Sequence, residues 1–371
     1  MKILALNWND LKNPYWGGAE VQLEELLRRL VKTYGHEVTL FCSGWKGCLP
    51  EETIEGVKII RRGNRYNFNL IAPRHLRRLA KENNYDILVE DINKIPFYTP
   101  YFLNLKTLVL IPHLFAKTIF HEVNFLLASY VYLFEKPMMS VYKGCHFNVV
   151  SESTASDVAA RGIPEEDISV IYNGTDRDFY SFDPTVKKYD HPSILYLGRI
   201  KKYKSIQHLI QALKIVLEKI PEAKLAVVGN GDYLDTLKAL AKEIGVEDAV
   251  EFTGFVTAED KLERLRKSHV AVLPSIIEGW GLTIIEANSV GTTVVAANSP
   301  GLRDSVNDNE TGFLYEYGNV EELAEKLLIM LTDVETRARL EKGGLLWADN
   351  FSWDKSAEKF NDLINKLAGE K

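Results

Sequence analysis

An α/β protein of two doubly wound parallel-sheet domains is what this sequence predicts, on three observations. Short apolar runs alternate with amphipathic helical stretches along most of the chain, the rhythm of βαβ units. Several runs end in glycine turns that open into a helix, at Gly17-Gly18, Gly198, Gly229-Asn-Gly231 and Gly279-Trp-Gly281. Around residues 172–192 the rhythm lapses into a polar, turn-rich stretch, which divides the chain into domains 1–180 and 181–351.

Composition fits two cores. The chain has 371 residues, 46% of them hydrophobic, and a net charge of −6 that would repel nucleic acid as a partner. Cys42, Cys48 and Cys145 form neither a metal-ligand spacing nor an even disulfide set and read as the reduced thiols of a cytosolic protein. The start, MKILALNWND, turns polar too soon for a signal peptide, and no run of about twenty apolar residues offers a membrane span.

Taken in order, residues 2–8 read as a buried strand, followed by the loop from Asn9 to Gly17-Gly18. A helix opens near Ala19 and carries Leu23, Leu26, Leu27, Leu30, Val31 and Tyr34 on one face. Strands follow near 37–42, 57–61, 86–90, 106–111 and 146–150, and in the second half near 193–198, 224–229, 249–254, 269–274 and 292–297. Trp353 to Leu367 is an amphipathic helix with Phe360, Leu363, Ile364 and Leu367 on one face, and residues 352–371 are expected to cross back to the first domain.

The chemistry gathers where strands end. After Val270–Leu273, the segment Pro-Ser-Ile-Ile-Glu278-Gly279-Trp280-Gly281-Leu282-Thr283 leads into a helix that carries Glu286 about one turn in. Backbone N–H groups at such a helix start suit a phosphate. Carboxylates beside it would repel the phosphate, so Glu278 and Glu286 point to the hydroxyls of a sugar or ribose. Two glutamates in a glutamate-rich chain carry little alone; the glycines between them give the pair a place. Gly198-Arg199-Ile-Lys-Lys-Tyr-Lys204 ends the strand at 193–198, and an arginine fork with a lysine point charge suits a diphosphate. Val228-Gly229-Asn-Gly231-Asp-Tyr-Leu234 imitates a dinucleotide fingerprint, with Glu251 further on, but Leu234 stands where the third glycine belongs.

Together these residues resemble the retaining glycosyltransferases of family 4. The resemblance rests on Glu278 and Glu286 spaced E-x7-E, Leu197-Gly198-Arg199 with Lys204, Val228-Gly229-Asn-Gly231, Phe252-Thr-Gly-Phe255 and Gly17-Gly18-Ala-Glu20, and it covers nearly the whole chain. It implies the GT-B fold, two facing Rossmann-like domains with a cleft between them. The second would hold a UDP- or GDP-linked sugar, a substrate rather than a cofactor, and the first a glycan, lipid-linked or small-molecule acceptor. No metal is implied. Residue by residue, the resemblance gives Arg199 and Lys204 the diphosphate, Glu286 the ribose hydroxyls and Glu278 the hydroxyls of the transferred sugar. Gly17 and Gly18 would offer amides to the phosphates, and Gly198, Gly229, Gly231, Phe255, Gly279, Trp280, Gly281, Leu282 and Thr283 would line the donor site. His113, in Leu110-Ile-Pro-His-Leu-Phe, matches a histidine kept near the donor sugar.

For the acceptor, the polar strand end Glu90-Asp91-Ile-Asn-Lys94 makes Glu90 and Asp91 candidates. Arg61, Arg62, Arg65, Arg74, Arg77, Arg78 and Lys81 make the first domain locally basic, and Val123 to Phe134 is apolar and aromatic. Both suit an anionic membrane surface on the cytoplasmic side; the plainer reading, which weighs slightly more, is a solvated arginine face over an ordinary core helix. A GT-B epimerase or phosphorylase would share the fold with other catalytic groups in place of the glutamate pair. A non-catalytic relative would be expected to have lost Arg199, Lys204 or Glu278.

Overall fold

A computed structural model describes residues 1–93, 95–114 and 125–369. The chain divides into two compact units, Met1–Asn173 with Trp353–Lys371, and Gly174–Ser352. Sequence placed the division at 180/181. It falls earlier because the segment after Asn173 is bonded into the second unit: the Thr175 N–H and hydroxyl both donate to the Phe351 carbonyl at 3.3 Å, and Arg177 Nη1 donates to Ser289 Oγ at 2.8 Å.

The first unit runs β1 (Lys2–Leu6), α1 (Gly18–Lys32), β2 (Glu37–Ser43), β3 (Glu51–Ile54), β4 (Val57–Arg62), α2 (Phe68–Asn83), β5 (Ile87–Asp91), β6 (Thr107–Ile111), α3 (Phe125–Glu135), α4 (Met138–Val141), β7 (His146–Val149), α5 (Glu152–Ala160) and β8 (Ile168–Val170). Its sheet has the order β3-β4-β2-β1-β5-β6-β7-β8, parallel except for the β3–β4 hairpin. Alternation along β1 explains the layers. Ile3 and Ala5 face Leu23, Leu27 and Leu30 of α1 together with Phe360, Ile364 and Leu367 of the terminal helix, Trp353–Gly369. Leu4 and Leu6 face the other way, onto Phe68, Ala72 and Leu76 of α2.

The second unit runs β9 (Ser193–Leu197), α6 (Ile206–Leu217), β10 (Lys224–Val228), α7 (Leu234–Glu243), β11 (Val250–Gly254), α8 (Ala258–Lys267), β12 (Val270–Leu273), α9 (Leu282–Ser289), β13 (Thr293–Ala297), β14 (Phe313–Tyr315), α10 (Val320–Thr332) and α11 (Val334–Ala348), after which α12 (Trp353–Gly369) returns to the first unit. Its sheet is wholly parallel, in the order β11-β10-β9-β12-β13-β14.

Each sheet therefore reverses its winding once. In the first unit the reversal lies between β1 and β5, in the second between β9 and β12. Open α/β sheets bind ligands outside the carboxyl ends of the strands at such a reversal, because the following loops diverge and leave a crevice. The β9–β12 ladder is registered only at Val270 with Ile194 and Ala271 with Leu195, so the strands part before their carboxyl ends.

Candidate functional site

The β9–β12 crevice holds the charged cluster. Beyond β9, Gly198 takes φ +155°, and a short 3-10 turn, Lys202–Lys204, ends at Ser205 in the left-handed region with φ 52°. That turn aims Lys204 across the crevice: its Nζ lies 2.5 Å from Glu278 Oε1, both side chains being largely covered. The turns are also joined through the backbone, by the Ile276 N–H on the Tyr203 carbonyl at 3.0 Å. Burial opposes the Lys204 charge, but Glu278 at contact distance outweighs it and holds the ammonium above its ordinary range. Tyr203 supports both cations, with Arg199 Nη2 donating to its hydroxyl at 3.5 Å and the Lys204 ammonium lying 5.2 Å from its ring centroid.

Glycines make the close approaches possible. A Cβ on Gly229 (φ +132°) would lie 2.0 Å from the Gly198 carbonyl oxygen, and one on Gly231 2.0 Å from that of Ile200. Gly301 (φ +78°), in the loop after β13, packs so tightly under Glu278 that a Cβ there would be 2.1 Å from the Glu278 carbonyl oxygen. The Glu278 N–H in turn donates to the Pro300 carbonyl at 3.1 Å. Gly279 continues this turn, and the buried ring of Trp280 packs against Phe351 with centroids 5.1 Å apart.

The helix start is less open than the sequence suggests. Leu282 N–H bonds the Trp280 carbonyl at 2.9 Å, while Ile284 and Ile285 bond the Gly281 carbonyl at 2.9 and 3.1 Å. These amides close the turn on itself. The Thr283 amide makes no such bond among the described residues.

Glu286 lies one turn further along α9 and is also paired. Lys261 Nζ of α8 stands 2.7 Å from its carboxylate and 5.2 Å from the Tyr180 ring centroid. Burial, with Glu286 next to it, pushes the Tyr180 hydroxyl up to about 12, so it stays protonated. At the same sheet edge Phe255 is exposed after Gly254 (φ +73°), whose carbonyl receives the Gly229 N–H at 2.9 Å.

Arg199, Lys204, Glu278, Glu286, Phe255 and the glycine turns thus belong to one edge of one sheet. Gly17, Gly18, His113, Glu90 and Asp91 lie in the other unit. There, Gly17 caps α1 and donates its N–H to Glu20 Oε2 at 2.7 Å, which occupies the amide expected to serve a phosphate. Glu20 Oε1 also accepts from Asn9 and Asn93, at 3.0 and 3.1 Å, so this carboxylate ties the loops after β1 and β5 together. Gly18 is the first residue of α1, and His113 stands two residues past β6.

Two expectations are corrected. Glu90 is wholly buried and accepts from the Thr99 and Tyr142 hydroxyls and, at 3.0 Å, the Phe97 N–H, so it pins the loop after β5 and presents no carboxylate to a ligand. Burial holds its carboxyl above the ordinary range, and Asp91 beside it is buried as well. Arg61 does not belong to a basic face. It is buried against Asp10 at 2.5 Å and Glu52 at 2.5 Å. Lys94 and part of the Val123–Phe134 stretch lie outside the described residues.

Sequence reasoning missed Lys261, Tyr180, Tyr203 and Gly301. Only Gly301 left a signal, the Ser-Pro-Gly turn that follows a buried strand.

Two α/β units, each with a sheet whose winding reverses once, and with cations and carboxylates gathered at the reversal of the second, have the architecture of a GT-B protein. The family pattern described as Glycosyltransferase Family 4 matches residues 16–179, and that described as Glycosyl transferases group 1 matches 180–347. The chain belongs to this glycosyltransferase family. It is 27% identical over 391 aligned residues, 98% of each chain, to a GDP-mannose-dependent alpha-(1-6)-phosphatidylinositol monomannoside mannosyltransferase of Mycobacterium tuberculosis. Among solved structures, sucrose-phosphate synthase from Thermosynechococcus elongatus superposes over 100% of both chains with a TM-score of 0.82 at 20% identity. The Anabaena HepE protein in complex with UDP and glucose covers 99% of this chain and 100% of its own, with a TM-score of 0.78 at 18% identity. Among the described residues no helix is long and apolar enough to cross a membrane.

Proposed function

We propose that the chain transfers a sugar from a nucleoside diphosphate, UDP or GDP, to a hydroxyl of a glycan or lipid-linked acceptor with retention at the anomeric carbon. The observation that carries this reading is the Lys204–Glu278 pair, set at the winding reversal of the second unit's sheet with Arg199 beside it. Without ligand the two side chains satisfy each other. A sugar nucleotide offers each a better partner: diphosphate oxygens for Lys204, sugar hydroxyls for Glu278. Glu286, held by Lys261 and Tyr180, accepts from the ribose hydroxyls. The GDP-dependent relative and the UDP-bound neighbour support a nucleotide donor while leaving the base open.

In the reaction the bond between the anomeric carbon and the diphosphate oxygen breaks, and the acceptor oxygen bonds to that carbon on the same face. The acceptor proton passes to the leaving phosphate oxygen. Negative charge grows on the diphosphate as the bond breaks, so Arg199, Lys204 and the Thr283 amide stabilise the transition state more than the ground state. This reading assigns that work to fixed cations, without a metal or other cofactor, and leaves Glu278 to orient the sugar. It also places the protein in the cytoplasm, where sugar nucleotides are available, working at the membrane face when its acceptor is lipid-linked.

Thermal-shift screening of UDP- and GDP-sugars, followed by proton NMR of the product from the best binder, tests it. Expected are a raised melting temperature and an α-linked product from an α-linked donor. A β anomer formed first, or a covalent sugar on Glu278, would overturn the mechanism, and stabilisation by no sugar nucleotide would overturn the function.

A further inference from the structure

Three arginines lie at the end of β4 and in the loop just after it, and they are used differently. Arg61 is buried against Asp10 and Glu52, and Arg62 pairs with Glu51. Arg65 pairs with no carboxylate among the described residues. Its guanidinium carbon instead lies 4.4 Å from the Tyr15 ring centroid and 5.3 Å from that of Tyr66. Tyr15, Trp16 and Tyr66 are respectively 57%, 51% and 80% exposed, although aromatic rings of this size normally bury most of their surface.

The two loops that carry these residues are fixed from within. Asn13 accepts the Tyr15 N–H on its side chain at 3.1 Å and the Trp16 N–H on its carbonyl at 3.0 Å. Asn64 and Asn67 do the same for the other loop, accepting the Tyr66 and Asn64 N–H groups at 2.9 and 2.8 Å. The backbone that presents the rings and the cation is thus set before any ligand arrives, which lowers the entropy lost on binding. Both loops leave the carboxyl ends of strands, β1 and β4, the edge where such sheets take their ligands.

We propose that Tyr15, Trp16, Arg65 and Tyr66 form the acceptor-recognition site, and that the acceptor is an anionic carbohydrate bearing a phosphate or carboxylate. Sugar rings present C–H faces that lie flat on aromatic rings. A guanidinium stacked on a ring keeps its in-plane N–H fork free, and that fork fits the two oxygens of a phosphate or carboxylate. The word acceptor rests on the transferase reading; the site itself does not. A bilayer is disfavoured because the four residues lie on two short loops at the ligand edge, whereas a membrane contact calls for an extended amphipathic face.

The test titrates the full chain with glucose 6-phosphate, glucuronate and neutral glucose by calorimetry, as wild type and as Arg65→Gln, Arg65→Lys and Tyr66→Ala. At least one charged sugar should bind roughly tenfold or more tighter than glucose, the scale of one charge-assisted fork. Arg65→Gln should erase that preference and Arg65→Lys restore only part of it, because an ammonium neither forks nor stacks flat. Tyr66→Ala should weaken charged and neutral sugars alike. Equal affinity for charged and neutral probes, no binding of any probe, or a preference that survives Arg65→Gln would overturn the proposal. So would Tyr66-dependent sedimentation with phosphatidylglycerol vesicles in the absence of sugar binding, which would make the patch a membrane contact. The UDP or GDP thermal shift is the separate control: unchanged in Arg65→Gln, it shows an intact fold. If wild type shows no nucleotide shift while Arg65-dependent sugar binding remains, the transferase reading fails and the anionic-carbohydrate site stands.

Discussion

Lys204 and Glu278 have side chains only about 15% exposed, so removing one leaves the other charged with little water to replace its partner. Lys204→Met is therefore expected to cost both ways. It takes a cation from the leaving diphosphate, lowering kcat/KM about a hundredfold, the usual scale for one transition-state donor. It also destabilises the second unit by about 1–3 kcal/mol through the stranded Glu278. Glu278→Gln should keep the hydrogen bonding and measurable turnover, since the reading gives Glu278 no covalent role. Steady-state kinetics with urea unfolding of both variants separates the effects, and wild-type turnover in Lys204→Met would remove Lys204 from the site. In the first unit, Glu24 Oε1 accepts the Leu11 N–H at 2.5 Å and anchors the loop after β1. Burial, opposed by that bond and reinforced by the charge of Asp10, pushes the Glu24 carboxyl from 4.5 up to about 7. The folded chain thus binds this proton more tightly than the unfolded chain, and Glu24's contribution to stability falls as pH rises from about 4.5 to about 7. Glu24→Gln keeps an oxygen for Leu11 and removes the titration. Relative to wild type it should gain more than about 1 kcal/mol between pH 4.5 and pH 8 in urea melts. A gap that does not change with pH would show that Glu24 ionises normally.

The elements divide by how much apolar signal they carry. β1, β2, β4 to β7 and β9 to β13 were legible because strands of parallel sheets, covered on both faces, become apolar runs such as Ile-Leu-Ala-Leu and Val-Ala-Val-Leu. β3, β8 and β14 were not. All three are sheet-edge strands; β3 and β8 have no fully buried residue and β14 has only three residues. The same limit applied to the site. Glycine turns mark its elements locally, whereas the Lys204–Glu278 pair spans 74 positions and Lys261 reaches Glu286 from a helix that otherwise looks like a solvated charged surface. Gly301 shows how an element outside the motifs governs it. Gly301→Ala would set a methyl 2.1 Å from the Glu278 carbonyl oxygen at φ +78°, where side chains are strained, so the turn must move. Turnover should fall tenfold or more with a stability loss of about 1–3 kcal/mol. Kinetics indistinguishable from wild type would mean that the Glu278 turn tolerates displacement.

At the scale of the whole chain, the second unit is inserted between two parts of the first, because α12 follows Ser352 directly yet packs with α1. Phe360, fully buried among Leu23, Leu27 and Leu30 and their neighbours, carries much of that return. Phe360→Ala should cost about 3–5 kcal/mol, and the cost should fall on the first unit, although in sequence the residue lies closest to the second. Nucleotide should act the other way round. If the donor site is the β9–β12 crevice, UDP or GDP at a hundred times its Kd stabilises the second unit by about 2.7 kcal/mol through mass action alone. Hydrogen exchange resolves the two because opening free energies are local. In Phe360→Ala, protection should drop in β1, β2 and α1 and hold in β9, β12 and α9; on adding nucleotide to wild type it should rise chiefly in β9, β12 and α9. Nucleotide-dependent protection confined to β1, α1 and β5 would place the donor in the first unit and undo the assignment of Arg199, Lys204 and Glu278.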